Sequence, residues 1–322
     1  MAKNCKKKKL KITNKQRFKA IVFVVLLAVC GFILLLDSLG IVTVNDIFIK
    51  LGLRDKPARH ADTEVHFIDV GQGDCTLVIS GGEVMVVDSG ERDDRNTAVK
   101  YLKSQGVVDI KYLIATHPHS DHIGEMEDIL QEFRVENFIM PKVKNEYVPT
   151  TKIYEDMLTE IKSQGLKITK AENFSFELGN CTVELFTPKN DYENLNNYST
   201  LVKVTHKENS FLITGDCEIT EEEDILSQGF DLNSKVLKAG HHGSSTSSSV
   251  DFLNEVLPRY AVISCGAGNK YGHPHDETLR RLRKYADDIY ITTESGTIVF
   301  KSDGEGLTVE VTKEMPTKKR FD

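Results

Sequence analysis

Three histidines and one aspartate lie within six residues of the segment ATHPHSDHIG, residues 115–124. His117 and His119 are two residues apart, so in an extended segment their side chains point to the same side and can hold one metal ion. Asp121 and His122 come after a turn and can reach a second ion. Carboxylates and neutral imidazoles are the forms that coordinate metals. The spacing therefore predicts a metal-binding loop rather than a chance polar loop.

Further ligand-capable residues occur in other loops. Seven of the ten histidines fall in three loops, each at or shortly after a strand-like run: His117, His119, His122, His241, His242, His273 and His275. Asp216, in FLITGDCE, ends an apolar run and precedes a helical one. It is either a carboxylate shared by two metal ions or a helix N-cap. Ligands at the ends of several strands predict one site at one sheet edge.

The order of these motifs resembles the metallo-β-lactamase-like hydrolase superfamily. The resemblance is carried by HPHSDH after a strand, TGD downstream and GHHGS after that. The segments HFIDVGQGDCTLV, VVDSG, NNYSTLV, LKAGHHGSSTSS and YGHPH are similar to the hydrolase domain of ComEC-type competence proteins. THPHSDHIG also resembles extracellular phosphorylcholine esterases of the same superfamily. Over residues 64–312, the resemblance implies a four-layer α/β/β/α sandwich, two divalent metal ions (Zn or Mn) with a bridging hydroxide, and hydrolysis, most often of phosphodiesters.

Matching by position assigns roles to the metal ligands. The resemblance implies that His117 and His119 bind one ion, that Asp121 and His122 bind the other, and that Asp216 bridges them.

The remaining histidines receive less specific roles from the same resemblance. His241 is expected to be the further metal ligand, and His242 to contact substrate or a ligand. For His273, the segment YGHPH leaves two places open: at the site, as an outer neighbour of the metal ligands or as a group that contacts phosphate or protonates the leaving oxygen, or in the loop as a cap of the helix near Asp276. The residues expected to act in catalysis are Asp121, His242 and His273.

Several residues are expected around the metal ligands. Asp88 in VVDSG matches an acid that orients a metal-binding histidine, and such carboxylates fix the tautomer of the ring. The others are expected at the rim of the site, in the hairpin near Asp216, or in the serine-rich loop: Asp69, Gln72, Asp74, Asn197, Ser199 and Ser244.

Many members of the superfamily have one more histidine before the TGD aspartate, and His206 is the candidate here. If STLVKVT and SFLITGD form a hairpin, His206 lies at its turn opposite Ser210, about 20 Å from Asp216 at ~3.3 Å per residue. His206 is therefore not expected to be a ligand. The residues that return toward Asp216 are near Asn196, Asn197 and Ser199, so the first ion would instead meet amide oxygens, which predicts a looser site or one better suited to Mn²⁺.

Short elements must position these loops. EVHFIDV, CTLVIS and VMVVDSG are β-rich runs separated by glycine turns, which predicts a strand meander. Helical runs such as TAVKYLKSQG alternate with later strands, but hairpins are frequent. A simple parallel sheet is therefore excluded, and two sheets covered by helices are predicted.

The N-terminal segment predicts a membrane anchor. Residues 1–19 contain nine Lys or Arg and no acid, and residues 20–36 contain no charged side chain. As a helix, those 17 residues would span roughly 26 Å, close to a ~30 Å hydrocarbon core. The basic flank predicts a cytoplasmic N-terminus and an extracytoplasmic hydrolase domain on a single-pass cell-membrane protein. The predicted organisation is a basic tail 1–19, an anchor 20–42, a linker 43–63, a hydrolase domain 64–313 and a tail 314–322.

Charge and cysteine content narrow the function. Without residues 1–19, 32 basic and 48 acidic residues remain, a net charge of −16, which disfavours a broadly basic face for duplex DNA. Cys75, Cys181, Cys217 and Cys265 lie in or beside strand-like runs and are interpreted as buried thiols.

The predicted substrate contains a phosphodiester, either nucleic acid or cell-wall polymer. The alternatives are a β-lactam or other ester or amide hydrolase, and a non-catalytic surface binding module.

Overall fold

The computed structural model describes residues 61–93 and 95–313, together with Phe23 and Gly31. Apart from those two positions, the predicted basic tail and anchor, most of the linker and the predicted C-terminal tail lie outside the described residues. Within the described part, no helix has the length and apolar character needed to cross a membrane.

The first sheet has eight strands among the described residues. They are β1 (Thr63–Phe67), β2 (Thr76–Ser80), β3 (Glu83–Val87), β4 (Asp109–Ile114), β5 (Arg134–Met140), β6 (Ile168–Lys170), β14 (Ile298–Ser302) and β15 (Leu307–Val311). Their order is β15-β14-β1-β2-β3-β4-β5-β6. The strands from β14 to β3 pair antiparallel, as the predicted meander requires, whereas β3, β4, β5 and β6 pair parallel.

The second sheet has seven strands in the described chain. They are β7 (Ser175–Leu178), β8 (Cys181–Phe186), β9 (Leu201–His206), β10 (Asn209–Ile213), β11 (Val236–Lys238), β12 (Tyr260–Ile263) and β13 (Asp288–Ile291). Their order is β13-β12-β11-β10-β9-β8-β7, with β10 to β13 parallel. The predicted β9–β10 hairpin is present. Its register pairs His206 with Asn209, one residue from the predicted partner Ser210.

Helices cover the outer faces of both sheets. They are α1 (Thr97–Ser104), α2 (Ser120–Ile123), α3 (Met126–Glu132), α4 (Lys152–Ser163), α5 (Ile219–Ser227), α6 (Val250–Val256), α7 (Asp276–Leu282) and α8 (Thr292–Ser295). Single 3₁₀ turns cover Asn145–Tyr147, Leu195–Tyr198 and His241–Gly243.

Three apolar clusters hold the layers together. One lies between the first sheet and helices α1, α3 and α4, and another joins the second sheet to α5, α6 and α7. The central cluster lies between the sheets and contains Phe67, Phe211 and Phe300, all fully buried. Burial of one such side chain stabilises the fold by roughly 1.5–3 kcal/mol. The predicted α/β/β/α sandwich is therefore the observed arrangement of the described domain.

The parallel strands explain why distant loops meet. Strands β3 and β4 are parallel neighbours in one sheet, and β10, β11 and β12 are parallel neighbours in the other. Neighbouring parallel strands end at the same sheet edge, where ligand sites of α/β proteins form. Asp88 follows β3, the loop of His117 follows β4, Asp216 follows β10 and His242 follows β11.

The four described cysteines and His206 are buried side chains. Cys75, Cys181, Cys217 and Cys265 are free and buried, as interpreted from the sequence. His206 is buried, and its Nδ1 lies 2.8 Å from the hydroxyl of Ser302 on the first sheet. The exclusion of His206 from the metal ligands is consistent with this contact.

Candidate metal centre

One group of ligand-capable atoms comprises Asp121, His122, Asp216 and His242, all within 4.8 Å of one another. His122 Nε2 lies 3.2 Å from Asp216 Oδ1, and His242 Nε2 lies 3.2 Å from Asp121 Oδ2 and 3.4 Å from Asp216 Oδ1. Loops from both sheets supply this group, since Asp121 and His122 follow β4 whereas the other two follow β10 and β11. Two imidazoles and two carboxylates thus converge on one small volume.

A second group comprises His117, His119 and the same Asp216. His117 Nε2 lies 3.9 Å from Asp216 Oδ2 and 3.0 Å from His119 Nδ1. Asp216 therefore presents Oδ1 to one group and Oδ2 to the other. This arrangement allows one carboxylate to serve two neighbouring metal ions. The sequence left this role open for Asp216, with a helix N-cap as the alternative.

The buried atoms of these groups fit divalent metal ions. His122 Nε2 and Asp216 Oδ1 face each other, yet neither has a hydrogen-bond partner among the described residues. Buried polar atoms normally have partners, so such an orphaned pair marks a place for an ion. Imidazole nitrogen and carboxylate oxygen suit zinc and manganese.

The protonation of the histidines supports the same interpretation. Burial lowers the pKa of His117 well below its ordinary value, which leaves that imidazole neutral and able to coordinate. Burial alone would lower the pKa of His122 as well, but the carboxylates of Asp216 and Asp88 raise it well above the ordinary range. A bound cation would replace the protons that these carboxylates otherwise attract.

Asp88 orients the imidazole of His122. Its Oδ2 accepts hydrogen bonds from His122 Nδ1 at 2.8 Å and from Thr116 Oγ1 at 2.7 Å, and its Oδ1 accepts from Thr116 N at 2.8 Å. Because Nδ1 donates to a carboxylate, the tautomer of His122 leaves Nε2 free for a metal. The contact expected of Asp88 is present. The hydroxyl of Thr116, between the β4 strand and the histidines, was not predicted.

Asp74 lies buried beside the ligands rather than at the rim where the sequence analysis expected it: its Oδ1 is 3.4 Å from His242 Nδ1 and its Oδ2 is 3.9 Å from His122 Nδ1. It is only 3% exposed and forms an ion pair with the buried Lys238. Lys238 also donates to the carbonyl of Gly215 at 3.0 Å, next to Asp216. Burial alone would raise the pKa of Asp74, but Lys238 and His242 hold it below its ordinary value. A lysine inside the apolar run SKVLKAG was the sequence signal for this pair.

The structure reverses the expected order of His241 and His242. His242 belongs to the four-residue group, and its Nδ1 lies 3.0 Å from the carbonyl of Ser264. His241 belongs to neither group. Its Nε2 lies 3.8 Å from Asp216 Oδ2, and its Nδ1 lies 3.1 Å from Glu218 Oε1. Glu218, two residues after Asp216, was missed in the sequence analysis.

His273 and His275 have different surroundings. His273 lines the cavity beside the ligands, and burial, with the nearby histidines, lowers its pKa to about 4. His275 instead accepts a hydrogen bond from Ser245 N at 2.9 Å through Nδ1, and its Nε2 lies 3.1 Å from the carbonyl of Tyr271. Of the two roles open for His273, the structure favours a place at the site, whereas His275 supports the loop.

Most of the expected rim residues contact neighbours of the site instead. Asp69 pairs with Lys313 at 2.6 Å, and Gln72 accepts from Gly266 N at 3.0 Å. Asn197 bonds Glu218, and Ser244 bonds Thr246. None of these expected residues lines the cavity.

Two residues of the β8–β9 connection lie closer to the ligands. Ser199 Oγ accepts a hydrogen bond from Asp216 N at 3.0 Å and lies 3.4 Å from His117 Nδ1. Asn196 lines the cavity, and its Nδ2 lies 3.4 Å from His241 Nε2. Of the two asparagines expected near the first group, Asn196 lines the cavity and Asn197 does not. The two asparagines are adjacent in NNYST, so only the backbone conformation distinguishes them.

The ligands open into a cavity of about 260 Å³. The lining residues are His119, Ser120, Asp121, Asn196, Asp216, His241, His242, Tyr271 and His273. Among the described residues, no lysine or arginine belongs to this lining. Bound metal cations would therefore have to balance the negative charge of a small anionic substrate.

Two buried glutamates hold the loops that carry the ligands. Glu125, just after the first histidine loop, accepts hydrogen bonds from three N–H groups at the start of α1. Glu222 in α5 accepts from Ser248 N and Ser249 N in the loop that follows His242. Burial raises the pKa of Glu125 to about 6 and that of Glu222 to about 7.

Close backbone approach fixes the first histidine loop. A Cβ at Gly124 would collide with the backbone of Gly90, Glu91 and Arg92. Gly124 N also donates to Gly90 O at 2.9 Å. The glycine of HSDHIG is therefore required by space, since its own φ is ordinary for a helix.

Curated relatives support the resemblance seen in the motifs. The chain is 27% identical to ComE operon protein 3 of Bacillus subtilis over 265 residues, covering 76% of this chain and 34% of that protein. It is 29% identical to competence protein ComA of Neisseria gonorrhoeae over 286 residues, covering 85% and 38%. The chain thus spans about a third of the length of the curated relatives it matches. The predicted likeness to ComEC-type hydrolase domains is confirmed.

Solved structures and a family profile define the fold. A mutant of CmlA beta-hydroxylase has a TM-score of 0.51 and 12% identity, covering 80% of this chain and 59% of that one, which shows a shared fold alone. The profile of the Metallo-beta-lactamase superfamily matches residues 68–267, which include both ligand groups. The chain therefore belongs to the metallo-β-lactamase superfamily of metal-dependent hydrolases.

Proposed function

We propose that this protein is a metal-dependent phosphodiesterase that binds two divalent cations. The observation that carries the proposal is the shared carboxylate: Asp216 presents one oxygen to each of two ligand groups at the floor of one cavity. Paired metal sites of this kind stabilise both the attacking and the leaving oxygens of a displacement at phosphorus.

We assign His117, His119 and Asp216 to one ion. Asp121, His122 and His242, again with Asp216, hold the other. His242 takes the place first expected of His241, because it lies in the ligand group. When bound, the cations would lower the pKa of a water molecule and polarise a phosphoryl oxygen.

The protein's own residues would prepare this chemistry. Asp88 holds His122 in the tautomer with a free Nε2, and Ser199 holds the backbone of Asp216. His241 and His273 line the cavity without belonging to either ligand group. We assign them to contacts with the phosphate and with the leaving oxygen, which preserves the role first expected of His273.

The choice of metal follows from the first group. It has two histidines where a three-histidine site would bind zinc more tightly, and the nearby Asn196 carries a buried, unpartnered Oδ1. Harder oxygen ligands suit Mn²⁺ better than imidazole does. We expect protein purified without added metal to lose one ion readily. Two tightly held zinc ions per chain would contradict this assignment.

A substrate panel tests the reaction class. The purified full-length chain is assayed with Mn²⁺ and with Zn²⁺ on a bis-aryl phosphodiester, single- and double-stranded DNA, a phosphorylcholine ester and a chromogenic β-lactam. We expect hydrolysis of phosphodiesters, and of single-stranded more than duplex DNA, because no lysine or arginine among the described residues lines the cavity and tight duplex binding depends on such side chains. Turnover of the β-lactam alone would refute the proposal.

Matched variants connect that activity to the site. Asp216→Asn weakens both ligand groups, so we expect phosphodiester hydrolysis to fall by about a hundredfold or more, the scale of a lost electrostatic contribution in catalysis. Asp251→Asn, at an exposed position in α6, serves as the control. Full activity in Asp216→Asn would refute the assignment of the reaction to this ligand group and would point to a different site.

We also propose that residues 20–42 anchor the enzyme in the cell membrane with the hydrolase domain outside. The support is the uncharged run 20–36 behind nine basic residues. External protease added to intact cells should digest residues 64–313. Protection of that domain in intact cells, with digestion after lysis, would place it in the cytoplasm instead.

A further inference from the structure

Tyr271 is an exposed aromatic side chain at the mouth of the metal-site cavity. The residue is 53% exposed, although it belongs to the lining of the cavity. It stacks on His273 with ring centroids 5.5 Å apart and an interplanar angle of 21°. His273 in turn contacts the rings of His241 and His242, at 5.4 and 6.1 Å. A row of aromatic rings thus leads from the ligands to solvent.

The backbone under this ring is fixed. Asn269 Oδ1 accepts hydrogen bonds from Tyr271 N at 3.2 Å and His273 N at 2.9 Å, and its Nδ2 donates to the carbonyls of Gly266 and His273. The Nε2 atom of His275 also lies 3.1 Å from the carbonyl oxygen of Tyr271. The backbone that carries the exposed ring is therefore already ordered, so stacking a flat partner on the ring would cost little conformational entropy.

From these contacts, the geometry points to Tyr271 as a stacking platform for an unpaired nucleobase next to the scissile phosphodiester. This inference rests on the proposed phosphodiesterase function and deepens it by naming single-stranded nucleic acid as the substrate class. A base inside a duplex has both faces covered, so only an unpaired base can reach the ring. The acidic balance of residues 20–322 also disfavours tight duplex binding.

Lys270 helps to distinguish a base from a cationic headgroup. Its Nζ lies over the Tyr271 ring, 5.0 Å from the centroid, and the lysine is exposed. An ammonium already at the ring repels a second cation such as choline, but it can move aside and meet a phosphate. Exposed cation–π contacts are weaker than the stacking of a base on an aromatic side chain. A nucleobase would therefore displace Lys270, whereas a quaternary ammonium would not.

The test compares a dinucleotide with its counterpart that lacks both bases, in the metal-loaded full-length protein. Base stacking predicts a kcat/KM ratio of about 5- to 150-fold in favour of the complete dinucleotide. Tyr271→Phe should preserve this ratio because the ring is kept, and Tyr271→Ala should reduce it toward one. Lys270→Gln should preserve or increase the ratio, because the competing ammonium is gone.

The outcomes separate this inference from the proposed function. Equal hydrolysis of both compounds by the wild type would overturn the stacking role and leave the phosphodiesterase intact. Loss of the ratio in Lys270→Gln rather than in Tyr271→Ala would also overturn it, because charge would then be the determinant. A stronger dependence on Tyr271 for the phosphorylcholine ester would favour a headgroup site and refute the nucleobase. No hydrolysis of either dinucleotide by protein that cleaves the bis-aryl phosphodiester would overturn the nucleobase site alone, whereas no hydrolysis of any phosphodiester would overturn both proposals.

Discussion

Replacing Asp88 by asparagine tests whether the carboxylate that orients the metal-binding His122 controls metal affinity. The asparagine side chain would keep one carbonyl oxygen, yet three donors at 2.7–2.8 Å now share the two oxygens of Asp88. If the amide nitrogen faces Thr116 N, one buried N–H group loses its acceptor. If it faces His122 Nδ1, the ring must change tautomer and Nε2 can no longer bind a metal. The left-handed φ of 59° at this position is tolerated by asparagine, so backbone strain does not confuse the result.

We expect Asp88→Asn to weaken the binding of one metal ion by about 10- to 100-fold, the usual effect of losing such a partner. This corresponds to about 1.4–2.7 kcal/mol of binding free energy. The orphaned N–H group would also lower the free energy of unfolding by about 1–3 kcal/mol. Competition with a chromophoric chelator measures the affinity, and circular dichroism confirms that the variant is folded.

Asp69→Asn is the matched control, because Asp69 pairs with Lys313 and lines no part of the cavity. It should bind metal like the wild type. An unchanged affinity in a folded Asp88→Asn protein would refute the role of Asp88 in orienting His122. A loss of affinity in Asp69→Asn would show that the loop at residues 69–74 contributes to the site, as the sequence first suggested.

Three other substitutions probe the support of the ligand loops. Glu125→Gln replaces one acceptor oxygen at the start of α1 with an amide donor, so urea denaturation should show a loss of about 1–3 kcal/mol; a loss below about 0.5 kcal/mol would contradict the capping role. Burial raises the pKa of Glu222 to about 7 from an ordinary 4.5. The contribution of Glu222 to the free energy of unfolding is therefore fully present below about pH 4.5 and is lost as the pH rises through about 7. Across that range, the wild type and the exposed control Glu223→Gln should lose about 3 kcal/mol more in thermal melts than Glu222→Gln, in which other groups such as Glu125 still titrate. Parallel curves for all three proteins would rule out the contribution of Glu222. Gly124→Ala forces a methyl group into surrounding backbone, so we expect the free energy of unfolding to fall by about 3 kcal/mol. A melting temperature near that of the wild type would show instead that the loop can relax.

The fold class was accessible from the sequence because its signals are local. The strand-like runs around DVGQGD and VVDSG correspond to β1, β2 and β3, and the run after Gly106 corresponds to β4. Alternating helices and hairpins excluded a simple parallel sheet, and the structure has two sheets. The register of the β9–β10 hairpin was one residue from the prediction, because turn geometry rather than apolar pattern fixes it.

Contacts between distant loops were less accessible. The burial of Asp74 against Lys238 depends on how the loop after β1 packs on β11 of the other sheet. Asn196, rather than Asn197, reaches the cavity because a 3₁₀ turn rotates the two side chains apart. Tyr271 carries no special spacing in the sequence, so its place at the cavity mouth emerges only from the loop that Asn269 holds.

By itself, the sequence determined the identity of the first ligand loop, because the spacing of His117, His119, Asp121 and His122 is a property of one short segment. The tertiary structure decided which of two adjacent histidines completes the site. His241 and His242 both adopt left-handed backbone conformations, with φ of 48° and 53°. Two such residues in succession do not follow the alternation of side chains between the two faces of an extended strand. Sequence spacing therefore does not determine where the side chains of His241 and His242 point. The packing of β11 against β10 and the hydrogen bond to Ser264 direct His242 inward.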